Sequence, residues 1–112
     1  MALLTSVEHN RMRIVSPVVK ESRLTREQRR RILEANFHTA LDARYATSQG
    51  TVYATFIHPL SQLTAAELRS AISQVANLVK TFGTTYSSGA LEFSAPGLPS
   101  QKHAPEDTRG AI

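Results

Sequence analysis

Leu63-Thr64-Ala65-Ala66-Glu67-Leu68 opens a helix, and the reading of that helix decides the fold of this 112-residue chain. Thr64 has the chemistry of an N-cap, and Glu67 three residues on completes a capping box. Leu63 and Leu68 stand on either side of the cap as a hydrophobic staple. From there Leu68, Ala71, Ile72, Val75, Leu78, Val79 and Phe82 recur at spacings of three and four, so they share one face. Arg69, Ser70, Ser73, Gln74, Asn77, Lys80 and Thr81 fall on the other. Gly83 supplies the stop, because glycine takes the left-handed conformation that ends helices. A helix patterned this way needs an apolar surface to lie on, and the rest of the chain has to provide it.

Immediately upstream, residues 51–58 read as a strand rich in Val, Thr, Tyr, Phe and Ile, ended by Pro59. Val52, Ala54 and Phe56 share one side; Tyr53, Thr55 and Ile57 share the other. Paired with residues 43–47 across a turn at Ser48-Gln49-Gly50, it forms a hairpin. Further back, Leu24-Thr25-Arg26-Glu27-Gln28 opens a second capped helix, expected to run over 26–41 with a stripe of Ile32, Leu33, Phe37, Ala40 and Leu41. Asn36 lies inside that stripe, and a buried amide must be satisfied: first by backbone of the adjoining strand or loop, alternatively by a ligand or partner contact. Glu27 and Arg31 are spaced for an ion pair worth about 0.3–0.5 kcal/mol. Residues 3–7 and 11–15 read as a first hairpin around Glu8-His9-Asn10, with Met12 and Ile14 facing one way, Pro17 ending its second strand, and residues 18–23 a connector. The order β-β-α-β-β-α predicts a two-layer α+β domain over residues 1–93, with a four-stranded antiparallel sheet and two helices on one face. Residues 94–112 hold three of the five prolines and two of the five glycines, and are expected to be a disordered or loosely docked tail.

Composition removes several function classes. With no cysteine, disulfides and thiolate metal sites are excluded. No apolar run approaches the roughly 20 residues of a membrane span, and the first residues are too weakly apolar for a signal peptide. A cytoplasmic protein is therefore expected. The net charge of +4 is local: residues 1–31 hold eight of the thirteen Lys/Arg and three of the nine Asp/Glu.

No set of residues names a reaction, so no catalytic residue, cofactor or metal is expected. The four histidines lack the converging ligands that a metal site needs. The face of the 53/55/57 strand away from the helices, with Tyr53, Thr55 and Ile57, is a candidate partner surface. So is the charge-poor side of the last helix, with Ser73, Gln74 and Asn77, since interface cores are depleted in charge. Arg26, Arg29, Arg30 and Arg31 form the alternative, a nucleic-acid contact, which the missing stacking aromatics disfavour. Asp42 and Arg44 at a helix-strand junction read first as a junction-locking ion pair, and with His58 as a remote small-molecule or metal site.

The run Ile32-Leu33-Glu34-Ala35-Asn36, the hairpin around Gly50, His58-Pro59-Leu60 and Leu63-Thr64-Ala65-Ala66-Glu67-Leu68 together resemble class I type III secretion chaperones and the related YbjN-like (bacterial sensory transduction regulator) domains. The likeness covers about residues 11–82. It implies a dimeric two-layer α+β domain and, in the chaperone branch, a surface that holds an extended segment of a protein client. Those chaperones open with an extra helix that lines the client groove, and they are acidic. This chain opens on the first hairpin and is basic, which favours the YbjN-like branch. The expected function is thus a non-enzymatic, homodimeric protein-interaction or chaperone-like domain.

Overall fold

The computed structural model describes residues 1–89. Residues 90–112, including the expected tail and the weakly alternating Ala90-Leu91-Glu92-Phe93, lie outside the described residues. In chain order the elements are β1 (Ala2–Ser6), β2 (Arg11–Lys20), a single 3₁₀ turn (Glu21–Arg23), α1 (Arg26–His38), β3 (Arg44–Ser48), β4 (Thr51–Pro59) and α2 (Ala65–Thr81). The strands form one antiparallel sheet in the order β1-β2-β4-β3. Both helices pack on one side of it, α2 over β2 and β4 and α1 over β3. This is the expected α+β architecture.

Its core follows from strand alternation. Met12 and Ile14 on β2, Tyr45 on β3, and Val52, Ala54 and Phe56 on β4 meet Ile32 and Ala35 from α1 and Ala71, Val75 and Leu78 from α2. Both capping boxes form: Thr25 and Gln28 exchange two 3.0 Å bonds, Thr64 and Glu67 two of 3.1 Å. The β3–β4 hairpin turns on Gln49 and Gly50 at φ 48° and 84°, the two left-handed residues of a type I′ turn.

Several expectations need correction. β2 does not stop at Pro17 but continues to Lys20, with a register shift between Pro17 and Val19. The proline's missing N–H is accommodated at that irregularity, beyond the last residue that β1 pairs. α1 ends at His38, and its buried side is Ile32 and Ala35, whereas Leu33 and Phe37 are 66% and 55% exposed. On α2, Ile72 turns outward while Gln74 is buried.

One cause accounts for both rotations. The Asn36 amide donates to the Tyr45 carbonyl at 3.0 Å and accepts from its N–H at 2.9 Å. The Gln74 carbonyl accepts from the N–H groups of Asp42 and Ala43 at 2.9 and 3.0 Å. Each helix thus sends one amide to the α1–β3 junction, and satisfying those backbone groups outweighs burying one more aliphatic side chain. Asn36 binds adjoining strand backbone, as expected of a buried amide.

After Gly83 the chain doubles back as a clasp over both helix ends. Thr39 Oγ1 donates to the Tyr86 carbonyl, Ser88 N–H to the Thr39 carbonyl, Leu41 N–H to Ser88 Oγ, and Asn77 Nδ2 to the Ser88 carbonyl. Tyr86, buried at φ 50°, packs edge-on against Tyr45 and Phe82.

Tyr45 sits at the centre of this packing, its hydroxyl donating to the Leu78 carbonyl at 2.7 Å. Burial pushes its phenol well above the ordinary tyrosine range near 10. Because the folded-state value is raised, its stabilising contribution is whole below about pH 10 and is lost as pH rises above that value. Urea midpoints should therefore fall between about pH 9.5 and 11, and Tyr45→Phe, whose ring cannot ionise, should flatten that fall. An equally steep fall in the Phe variant would contradict the assignment.

Candidate protein-binding face

Alternation along β4 places Tyr53, Thr55 and Ile57 opposite to Val52, Ala54 and Phe56, on the side of the sheet without helices. Register then fixes their neighbours: Arg13 lies across from Ile57, Val15 from Thr55, Pro17 from Tyr53, and Ala46 from Tyr53 on the other flank. The result is an open trough of about 390 Å³ over β2, β4 and β3. Its lining is apolar at Val15, Ile57 and Ala46, with Arg13 at one end and the Tyr53 ring toward the other. Thr55 lies on its floor, with a buried hydroxyl oxygen that has no hydrogen-bond partner among the described residues.

The structure brings together Tyr53, Thr55 and Ile57 but does not join them to Ser73, Gln74 and Asn77, which lie on a helix behind the sheet. Of these three, Ser73 is exposed. Gln74 is 5% exposed and occupied by backbone, and Asn77 is half-buried and bonded to Ser88. The charge-poor side of α2 is thus internal in part, because the clasp and the α1–β3 junction cover it.

The arginine cluster is largely engaged within the fold. Arg29 pairs with Glu21 at 3.6 Å. Arg30, not Arg31, takes Glu27, and also Glu34 at 2.7 Å. The bond and charge of Glu27, then those of Glu34, push the Arg30 guanidinium further toward its charged form. Arg31 instead donates to the Thr84 carbonyl at 3.2 Å and lies 4.7 Å over the Tyr86 ring, binding α1 to the clasp. Arg26 alone of the four has no such partner among the described residues.

Asp42, Arg44 and His58 do not converge. The Arg44 guanidinium folds back onto the carbonyls of Ala40, Leu41 and Ala43 at 2.9–3.0 Å. The expected ion pair with Asp42 does not form; Arg44 instead ties down the carbonyls of the connector between α1 and β3. His58 stacks on Phe56 and faces Glu67 at 3.5 Å. Among the described residues no group of three or more His, Asp or Glu is placed to hold a metal. No helix among the described residues is long and apolar enough to cross a membrane.

A second surface was not anticipated. Leu33 and Phe37 are exposed one turn apart on α1, and Leu41, past the end of the helix, is exposed as well. Their spacing of four residues was legible; their outward direction was not, because it depends on Asn36.

A chain in the crystal structure of the ExsC–ExsE complex has this fold, with a TM-score of 0.54 and 18% sequence identity over 71% of the present chain. The present chain spans 65% of that chain's length. No protein-family model and no curated protein sequence matches the chain. At that identity the likeness is one of fold alone.

Proposed function

We propose that this chain is a non-enzymatic, chaperone-like protein-binding domain that works as a homodimer in the cytoplasm and holds a segment of a partner protein on the open face of its sheet. The trough along Val15, Thr55, Ile57 and Tyr53 carries this reading. It offers apolar side chains in two-residue steps, the period at which an extended segment presents its own side chains. The fold likeness to a chain solved in a complex of two proteins agrees with it. The basic charge keeps the YbjN-like branch ahead of the effector chaperones within the same reading.

The homodimer rests on α1. Leu33 and Phe37 are exposed one turn apart on one side of it, so a two-fold axis between them sets each Leu33 against the partner's Phe37. The same antiparallel pairing lays the cationic first turns of one α1 toward the carbonyl end of the other, where positive charge is favourable. Size-exclusion chromatography with light scattering should give twice the 12.3 kDa chain mass. Phe37→Asp should weaken the dimer by about 100-fold or more, as for loss of a central interface anchor, while far-ultraviolet circular dichroism stays unchanged because Phe37 is exposed in the single chain. A wild-type monomer at high concentration would sink the dimer reading.

A further inference from the structure

The four strands contain four cations, Arg11, Arg13, Lys20 and Arg44, and no Asp or Glu. Register and alternation place all four on the open side of the sheet: Arg11, Arg13 and Lys20 lie opposite Pro59, Ile57 and Thr51, and Arg44 lies opposite Thr55. Two of them are held by backbone carbonyls, Arg11 by those of His9 and Asn10 and Arg44 by those of Ala40 and Leu41 in the connector after α1. Arg13 and Lys20 have no hydrogen-bond or ion-pair partner among the described residues.

These two free cations bracket the trough. Along β4 the successive positions of the open face are Ile57, Thr55, Tyr53 and Thr51; Arg13 stands beside the first and Lys20 beside the last. The six-residue interval spans roughly 20 Å. An extended segment lying along the strands would meet a cation, two apolar positions and a second cation at steps of two residues.

Resting on the protein-binding reading above, the geometry points to a partner segment of defined chemistry: an extended stretch with a carboxylate at its first and seventh positions and apolar side chains at its third and fifth. The carboxylates face Arg13 and Lys20, and the apolar residues lie on Val15, Thr55 and Tyr53. Because the four strands hold no carboxylate among the described residues, an acidic segment meets no repulsion from them, and a basic one meets it at both ends. A single-stranded nucleic acid is the poorer fit. Its bases need a series of stacking rings, and among the described strand residues Tyr53 is the one aromatic on this face.

Three fluorescent seven-residue peptides, identical except for Glu, Gln or Lys at the first and seventh positions and with Val at the third and fifth, separate the possibilities in an anisotropy titration against the full chain. The Glu peptide should bind about tenfold more tightly than the Gln peptide at low salt, with the Lys peptide weakest, and the spread should shrink in 0.5 M salt as screening tightens. The double variant Arg13→Gln/Lys20→Gln should bring the Glu and Gln peptides level without changing the circular dichroism spectrum. Equal binding of the Glu and Gln peptides by the wild type would overturn the acidic-segment inference and leave the protein-binding face intact. No binding of any peptide, with no response to Ile57→Asp, would overturn both. A single-stranded oligonucleotide binding more tightly than the Glu peptide would overturn the choice of partner.

Discussion

Gln74→Leu is expected to lower the unfolding free energy by about 2–4 kcal/mol, although leucine is the better helix former and the more apolar residue. The side-chain carbonyl of Gln74 accepts two backbone N–H groups, those of Asp42 and Ala43, and its Nε2 donates to Ser70 Oγ at 3.1 Å. Ala43 is fully buried, so its N–H has no water to turn to once the amide is gone. Each orphaned donor costs about 1–3 kcal/mol, against a total stability of about 5–15 kcal/mol for a domain of this kind. Urea denaturation should show a lower midpoint with an unchanged slope. Ser73→Ala, one residue away on the exposed side, should stay within about 0.5 kcal/mol of wild type. If the leucine variant matched the alanine control, the two bonds would not matter to the fold.

Asn36→Leu should cost about 2–3 kcal/mol, and its effect should be local as well as global. Tyr45 directs its N–H and carbonyl away from β4, and Asn36 satisfies both. α1 buries only Ile32 and Ala35, so this pair of bonds is a large share of what holds it to the sheet. Hydrogen exchange is the discriminating measurement. Amides of α1 should exchange much faster in the variant, while those of β2, β4 and α2 keep most of their protection. Uniform acceleration across the chain would mean that α1 does not open as a separate unit. Asn36→Asp should fall between, because it keeps the acceptor for the Tyr45 N–H and loses the donor.

These two amides also mark the limit of what the sequence made legible. Helix existence, caps and the strand faces followed from spacing: the Thr25 and Thr64 boxes, the inward set Val52, Ala54 and Phe56, and the outward set Tyr53, Thr55 and Ile57 all stand where alternation and periodicity put them. The exact rotation of each helix did not follow, since a wheel weighs Leu33, Phe37 or Ile72 by hydropathy alone. It has no means of knowing that backbone groups 31 and 32 residues away need Gln74. The same limit applies to charge. Glu27 and Arg31 are spaced for an ion pair, yet Arg31 instead reaches Thr84 and Tyr86, 53 and 55 residues on. The clasp had no apolar periodicity to announce it; its bonds are hydroxyls and carbonyls, whose partners only the folded chain supplies.

For the candidate face the division is similar. The sequence alone determined a β-β-α-β-β-α chain, which side of β4 would be free of helices, and an excess of cations concentrated in residues 1–31. That follows because strand period, caps and composition are local properties. Tertiary structure decided that Arg13 and Lys20 stand beside Ile57 and Thr51 on the open face, that Arg29, Arg30 and Arg31 are engaged within the fold, that Gln74 and Asn77 bond backbone of the junction and the clasp, and that Leu33, Phe37 and Leu41 are exposed. Each of those depends on pairing between distant segments, where the need to satisfy buried backbone groups overrides the preference of any single side chain.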